Sequence, residues 1–249
     1  MPETSIWESL GAPRPGAVEY LRVSGLHAFY GESHILHGVD FTVNRGELVT
    51  LLGRNGAGRT TTLKSILGLV EKRTGSVMIN GREVISRPAH RIARLGVGYC
   101  PEERGIFASL SAEENLLLPP VLSSEGMRLD EIYEMFPQLK ERRRCQGSRL
   151  SGGEQQMLAM ARILRTGARL LLLDEVSEGL APVIVESLRR VIVELKRRGF
   201  TIVLVEQNFH FASALSDRVY VIERGRIVLE IGKEQLQEKQ AALQELLAV

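Results

Sequence analysis

The chain has little cysteine, little net charge and no long apolar run. Cys100 and Cys145 are the only cysteines in 249 residues. They form neither a disulfide framework nor a metal-ligand spacing, so reduced thiols are expected. Net charge is +2, too small to argue for nucleic acid from electrostatics. No stretch approaches the ~18–20 apolar residues of a membrane-spanning helix. Residues 1–17 carry Glu3 and Glu8 and no apolar core, so no signal peptide is expected there. No solenoid-type repeat is visible. What is present is ordinary globular composition, 44% hydrophobic and 25% charged. The length suits one large domain or two tightly joined lobes.

Residues 1–17, with Pro2, Gly11, Pro13, Pro15 and Gly16, read as a loose leader. From Val18 the pattern turns strand-like. Segments 19–23, 26–30 and 34–43 predict a small antiparallel sheet ahead of the apolar strand 48–52. Segment 74–79 is a further short strand, 90–95 a short helix, and 97–100 a strand stopped by Pro101. Residues 109–150 change character and read as an inserted helical lobe. Ser111 is its first N-cap, with Glu114 at the capping-box position. A second helix, 129–139, is interrupted at Pro137. The basic cluster Lys140, Arg142, Arg143 and Arg144 reads as a solvated face, with a specific anion site as the alternative.

Residues 153–165 form an amphipathic helix whose Met157, Leu158, Met160, Ala161 and Leu164 are core. Four leucines, 170–173, make a buried parallel strand ending at Asp174 and Glu175. Pro182 opens a helix through Arg198, stopped at Gly199. Segment 201–205 is another buried strand, 209–215 a helix, and 218–223 pairs with 226–231 across Arg224-Gly225. A last helix is expected over about 233–247. Strands alternating with helices predict an α/β fold with a mainly parallel sheet, its sites at the carboxyl ends of the strands.

One such end carries Gly53-Arg54-Asn55-Gly56-Ala57-Gly58-Arg59-Thr60-Thr61. Strand, glycine-rich turn and helix follow in order. The spacing fits the phosphate-loop pattern G-x-x-x-x-G-K-[ST], except that arginine stands at the lysine position. The glycines allow positive φ and close approach of a ligand. Successive N–H groups form an anion nest at a helix N-terminus. Thr60 offers an oxygen to Mg²⁺, and Arg59 is expected to reach the β- and γ-phosphates. Arginine keeps the charge but replaces a compact ammonium with a planar fork. Binding is therefore the safer expectation and turnover the more exposed one. The bland alternative is a glycine-rich turn without a ligand.

Leu150-Ser151-Gly152-Gly153-Glu154-Gln155-Gln156 precedes the 170–175 strand by about twenty residues. Here the chain resembles the ABC-type ATPases, from Val18 to about Ile231, with several motifs in order. The resemblance implies a P-loop ATPase core spanning 18–249, with the helical lobe inserted, that binds and hydrolyses ATP with Mg²⁺. Ser151, Gly152 and Gly153 would be the signature, acting across a dimer interface on the γ-phosphate. A plain N-cap is the simpler reading of Ser151 and is compatible with that role. Asp174 would hold Mg²⁺, and Glu175 would polarise the attacking water. A solvated strand end is the bland reading of that pair. Tyr30 would stack on adenine, with sheet core as its alternative. Glu102 stands where the family usually has a Mg²⁺-contacting glutamine, and Gln207 where it has a switch histidine. Glutamine can donate to a phosphate oxygen but carries no charge.

Further segments, 53–64, 101–107, 113–116, 177–182 and 205–208, are similar to the ATPase subunit of branched-chain amino acid importers. That group carries residues like Glu102 and Gln207, whereas Val176 departs from its proline. The likeness implies a peripheral subunit at the cytoplasmic face of the inner (plasma) membrane. It would pair with a second ATPase subunit and dock on membrane permease subunits fed by a periplasmic solute-binding protein, with no nucleic acid involved. Relatives in the group serve urea or other small amides and acids. Two rivals stand beside this reading. One is a soluble ABC ATPase acting on DNA or the ribosome. The other is a regulatory nucleotide-binding subunit with little turnover, suggested by Arg59.

Overall fold

The computed structural model describes residues 18–236. The expected leader over 1–17 lies outside the described residues, as does the terminal helix beyond Leu236. In chain order the first half runs β1 (Glu19–Tyr30), β2 (Ser33–Asn44), β3 (Leu48–Leu52), α1 (Arg59–Ile66), β4 (Lys72–Ile79), β5 (Arg82–Glu83), α2 (Ala89–Ala93), β6 (Val97–Cys100) and α3 (Ala112–Leu117). Then come α4 (Leu129–Met135), α5 (Pro137–Glu141), a 3-10 turn at Gly147–Arg149, α6 (Gly152–Arg165), β7 (Leu170–Asp174), α7 (Pro182–Arg197), β8 (Thr201–Glu206), α8 (Phe209–Leu215), β9 (Arg218–Glu223), β10 (Arg226–Gly232) and α9 (Lys233–Leu236).

Two sheets result. One is antiparallel, in the order β2-β1-β4-β5. The other has the order β10-β9-β3-β8-β7-β6, parallel from β9 to β6 with β10 antiparallel at the edge. The two expected segments 19–23 and 26–30 are one strand. Gly25, at φ +54°, carries the chain through an irregularity between Val23 and Leu26 without ending the pairing. The short β5 follows Asn80 and Gly81, both at positive φ, which is the two-residue hairpin geometry that asparagine-glycine favours.

The parallel strands are apolar along most of their length because both faces are covered, with Thr50, Asp174, Thr201 and Glu206 as buried polar exceptions. Leu170 and Leu172 face the antiparallel sheet and α1, in a core with Val23, Leu63 and Val203. Leu171 and Leu173 face the other way, in a core with Met157, Leu158 and Met160 of α6 and Leu188 and Ile192 of α7. That second core also takes in Leu116, Ile132, Phe136 and Leu139 from α3 to α5, so the helical lobe closes on α6. Both lobe and α6 begin on capping boxes, Ser111 with Glu114 and Ser151 with Glu154. Arg218 ties the sheets together. Its guanidinium donates to Glu47 at 2.6 and 3.0 Å, to Glu230 at 2.8 Å and to the Thr42 carbonyl at 2.8 Å. No described helix is long and apolar enough to cross a membrane.

Candidate functional site

The carboxyl ends of β3 and β7, neighbours of β8 on either side, bring the phosphate loop and the two acids together. Gly53 leaves β3 against the backbone of β9, where a Cβ would collide with the carbonyl oxygen of Ile222. Gly58, at φ +107°, caps α1 and would place a Cβ 2.8 Å from Leu36. Both positions need glycine for space, and Gly58 for conformation too. The first turn of α1 then points at β7. Thr60 Oγ1 donates to Asp174 Oδ1 at 3.0 Å, and the Tyr99 hydroxyl donates to Asp174 Oδ2 at 3.0 Å. Asp174 is fully buried. Burial pushes its carboxyl above the usual range, while Tyr99, Thr60, Lys64 and Arg59 pull it back.

Arg59 takes protein partners. Its side chain is turned onto the next carboxylate, with Nη2 2.7 Å from Glu175 Oε1 and 2.8 Å from Asn55 Oδ1. Arginine is long enough to span that gap and to hold two acceptors at once. Its Nη1 is buried with no hydrogen-bond partner among the described residues. A buried guanidinium nitrogen left unpaired is costly, and an anionic oxygen in the loop would satisfy it.

Glu175 sits at φ +47°, a conformation that a non-glycine residue adopts under constraint. Here its N–H donates to the Val205 carbonyl at 2.9 Å. Burial pushes its carboxyl up to about 8, followed by its hydrogen bond to Glu178, with Arg59 acting in the opposite direction. Glu102, Glu175 and Glu178 hold carboxylate oxygens within 4.8 Å of one another. Beneath them Glu206 accepts from Ser177 N at 3.1 Å and Ser177 Oγ at 2.9 Å, and burial pushes it up to about 7.

A cavity of about 440 Å³ opens over these groups. Of the residues singled out in the sequence, it is lined by Tyr30, Asn55, Gly56, Gly58, Arg59, Thr60, Thr61, Glu102 and Glu175. Tyr30 is 48% exposed, so the sheet-core reading does not hold. Gly53, Arg54 and Ala57 shape the loop without lining the cavity. Gln207, half-buried after β8, does not line it either. Ile35 and Glu178 line the cavity and were not expected. The signal for Glu178 was its place three residues after Glu175 in a tight turn; Ile35 had none, since only strand pairing brings it in.

Ser151, Gly152 and Gly153 are not among the cavity's lining residues. Ser151 is exposed at the N-cap of α6, its Oγ accepting from Glu154 N at 3.3 Å, so the N-cap reading holds. Of its two glycines, Gly153 is needed for space. A Cβ on Gly152 would lie 3.2 Å from the Arg104 guanidinium, and one on Gly153 would strike Ile184 at 2.6 Å. Arg104 is itself held by Gln155, donating to Oε1 at 3.1 Å.

The residues fit a magnesium nucleotide: an anion nest with a free guanidinium N–H, and a hydroxyl beside a buried carboxylate. The family model described as ABC transporter matches residues 36–178. The chain belongs to that family, as an ATP-hydrolysing transporter subunit. It is similar to the high-affinity branched-chain amino acid transport ATP-binding protein BraG of Pseudomonas aeruginosa, 43% identical over 81% of this chain and 88% of that protein. It is also similar to the lipopolysaccharide export system ATP-binding protein LptB of Escherichia coli, 34% identical over 84% and 88%. A solved ATP-binding subunit of an ABC transporter superposes with a TM-score of 0.76 at 28% identity, over 92% of this chain and 98% of that one.

Proposed function

We propose that this chain powers import of branched-chain amino acids or related small solutes. The observation that carries the cargo class is its greater likeness to BraG, 43% identical over 81% of the chain, than to LptB, 34% identical over 84%. ATP would lie in the cavity with its adenine on Tyr30. Its phosphates would meet the backbone N–H groups of residues 53–61 and the Arg59 guanidinium, drawn off Glu175 onto the phosphate oxygens. Thr60 and Asp174 would hold Mg²⁺, which neutralises charge on the phosphate oxygens. Tyr99 and Thr60 fix Asp174 for that task. Glu175 would take a proton from the attacking water as the γ-phosphoryl passes to it, giving ADP and phosphate. Gln207 would donate its amide N–H to the γ-phosphate, and Glu102 would lie at the metal side.

Ser151, Gly152 and Gly153 would face the nucleotide of a second ATPase subunit, since they lie at an exposed helix start apart from this chain's cavity. The pair would dock on membrane permease subunits at the cytoplasmic face, served by a solute-binding protein. The domain would span 18–249, with residues 1–17 as a leader. The second reading, a regulatory subunit of low turnover, is favoured by one observation: Arg59 occupies Glu175. Reconstitution with the permease pair and binding protein separates them. Leucine-stimulated ATP hydrolysis with labelled leucine uptake is the expected result. Uptake that persists at full rate in Glu175→Gln makes the second subunit the motor. Urea uptake without leucine uptake moves the cargo to small amides.

A further inference from the structure

The β1–β2 hairpin gathers three imidazoles on one face. His27 and His37 are cross-strand partners and so share a face. His34 lies three residues before His37, which regular alternation would send to the opposite side. The register breaks there. Ala28 pairs with Leu36 and Phe29 with His34, leaving Ile35 without a partner. This one-residue bulge turns His34 onto the face of His27 and His37. The cluster is tight. Nδ1 of His27 is 3.0 Å from Nε2 of His34. The His34 ring centroid is 4.0 Å from that of His37 and 5.1 Å from that of His27. Phe29 stacks on His34 at 4.2 Å and 13°, which holds that ring in place.

Two nitrogens bound tetrahedrally to one zinc ion at ~2.0–2.1 Å sit about 3.3 Å apart. The His27 and His34 nitrogens are already close to that spacing. We propose that this face binds one borderline divalent transition-metal ion, of the Zn²⁺ or Cu²⁺ class, through His27 Nδ1 and His34 Nε2. His37 supplies a third imidazole by rotating its ring, and water fills the remaining position. A set of imidazole nitrogens selects such ions over Mg²⁺, which prefers oxygen. The site is therefore chemically separate from the nucleotide cavity and does not depend on ATP hydrolysis.

It is nonetheless joined to that cavity through the backbone. Ile35, the bulged residue, lines the cavity with Tyr30 of the same hairpin. His37 N donates to the Gly225 carbonyl at 2.8 Å, and Gly225 N donates to the Ala57 carbonyl in the phosphate loop at 2.8 Å. An ion bridging β1 to β2 pins the wall that carries Tyr30. Metal and nucleotide then alter each other's affinity by the same factor.

The test uses the purified full chain, stripped with EDTA and free of nucleotide. Cu²⁺ is added and read by electron paramagnetic resonance, and Zn²⁺ is titrated against a chromophoric chelator. The expected result is one equivalent of Cu²⁺ with splitting from two or three nitrogens. Zn²⁺ affinity should fall at least about tenfold in His34→Ala and His27→Ala and hold in Glu178→Gln. The resonance measurement needs no variant, so misfolding cannot mimic the outcome. Oxygen-only ligation, or Zn²⁺ affinity unchanged in both histidine variants, overturns the proposal. Loss of binding in Glu178→Gln alone assigns the ion to the carboxylates of the cavity and overturns it too.

Discussion

Replacing Glu175 with glutamine probes the Arg59 contact with least disturbance to shape. The two side chains are 3% and 9% exposed and 2.7 Å apart. A hydrogen bond to a charged partner contributes about 1.5–3 kcal/mol and a neutral one about 0.5–1.5. Glutamine keeps an acceptor and loses the charge, so the contact weakens by about 1–2 kcal/mol. A triphosphate that draws Arg59 onto its own oxygens must break this contact. Where Glu175 is ionised, above its raised value of about 8, the variant should therefore bind ATP about five- to thirtyfold more tightly. The Glu175 carboxyl is raised to about 8, so the wild-type pair is stronger above that pH. The gain should then be larger at pH 9 than at pH 7. The assay is equilibrium titration with a fluorescent ATP analogue in EDTA, at protein concentrations too low for subunits to associate. Hydrolysis and closure then do not enter. Affinity unchanged or weaker at both pH values refutes the reasoning. Arg59 would then keep Glu175 while its free Nη1 alone meets the phosphate.

Glu206 gives a pH signature of stability. Its folded pKa of about 7 lies above its ordinary 4.5, so the folded chain holds a proton that the unfolded chain has lost. Stability should fall by about 3 kcal/mol as pH rises through that window. Denaturant titrations at pH 5 and 8 should show it, and Glu206→Gln should shrink the fall by that share, leaving the part due to Glu175, whose carboxyl is raised to about 8. Gly53→Ala drives a methyl into the Ile222 carbonyl. It should cost about 1–3 kcal/mol and abolish nucleotide binding, read by thermal melting with and without ATP. Arg218→Ala strands Glu47 and Glu230, partly buried, and should cost about 3 kcal/mol. Arg218→Lys should recover only part of that, because an ammonium cannot reach all four acceptors.

Much of this was legible because local chemistry agreed with the fold. Four leucines running into Asp174-Glu175 read as a strand buried on both faces, and they are. Ser111 and Ser151 announced their helices through capping boxes. Segment 26–30 was separated from 19–23 because Gly25 looks like a break, whereas pairing to β2 and β4 carries the strand through. β5 was missed although Asn80-Gly81 marked a hairpin, since a two-residue strand has no periodicity to show. The contacts that define the site were illegible. Tyr99 on Asp174 and Arg59 on Glu175 join residues 75 and 116 positions apart, and only the sheet order brings them together. Arg59 was visible as an unusual residue, but its partner was not.

The proposed function turns on a nucleotide that would be held between this chain's phosphate loop and the Ser151 end of α6 from a second subunit. Sedimentation equilibrium of Glu175→Gln, alone and mixed with its companion ATPase subunit, measures this directly. With ATP and Mg²⁺ the mass should double, and adding Ser151→Arg to the same chain should return it to that of single subunits while ATP still binds. A Glu175→Gln chain that binds ATP yet stays single in both mixtures, or a pair that forms equally well with Ser151→Arg, contradicts the account.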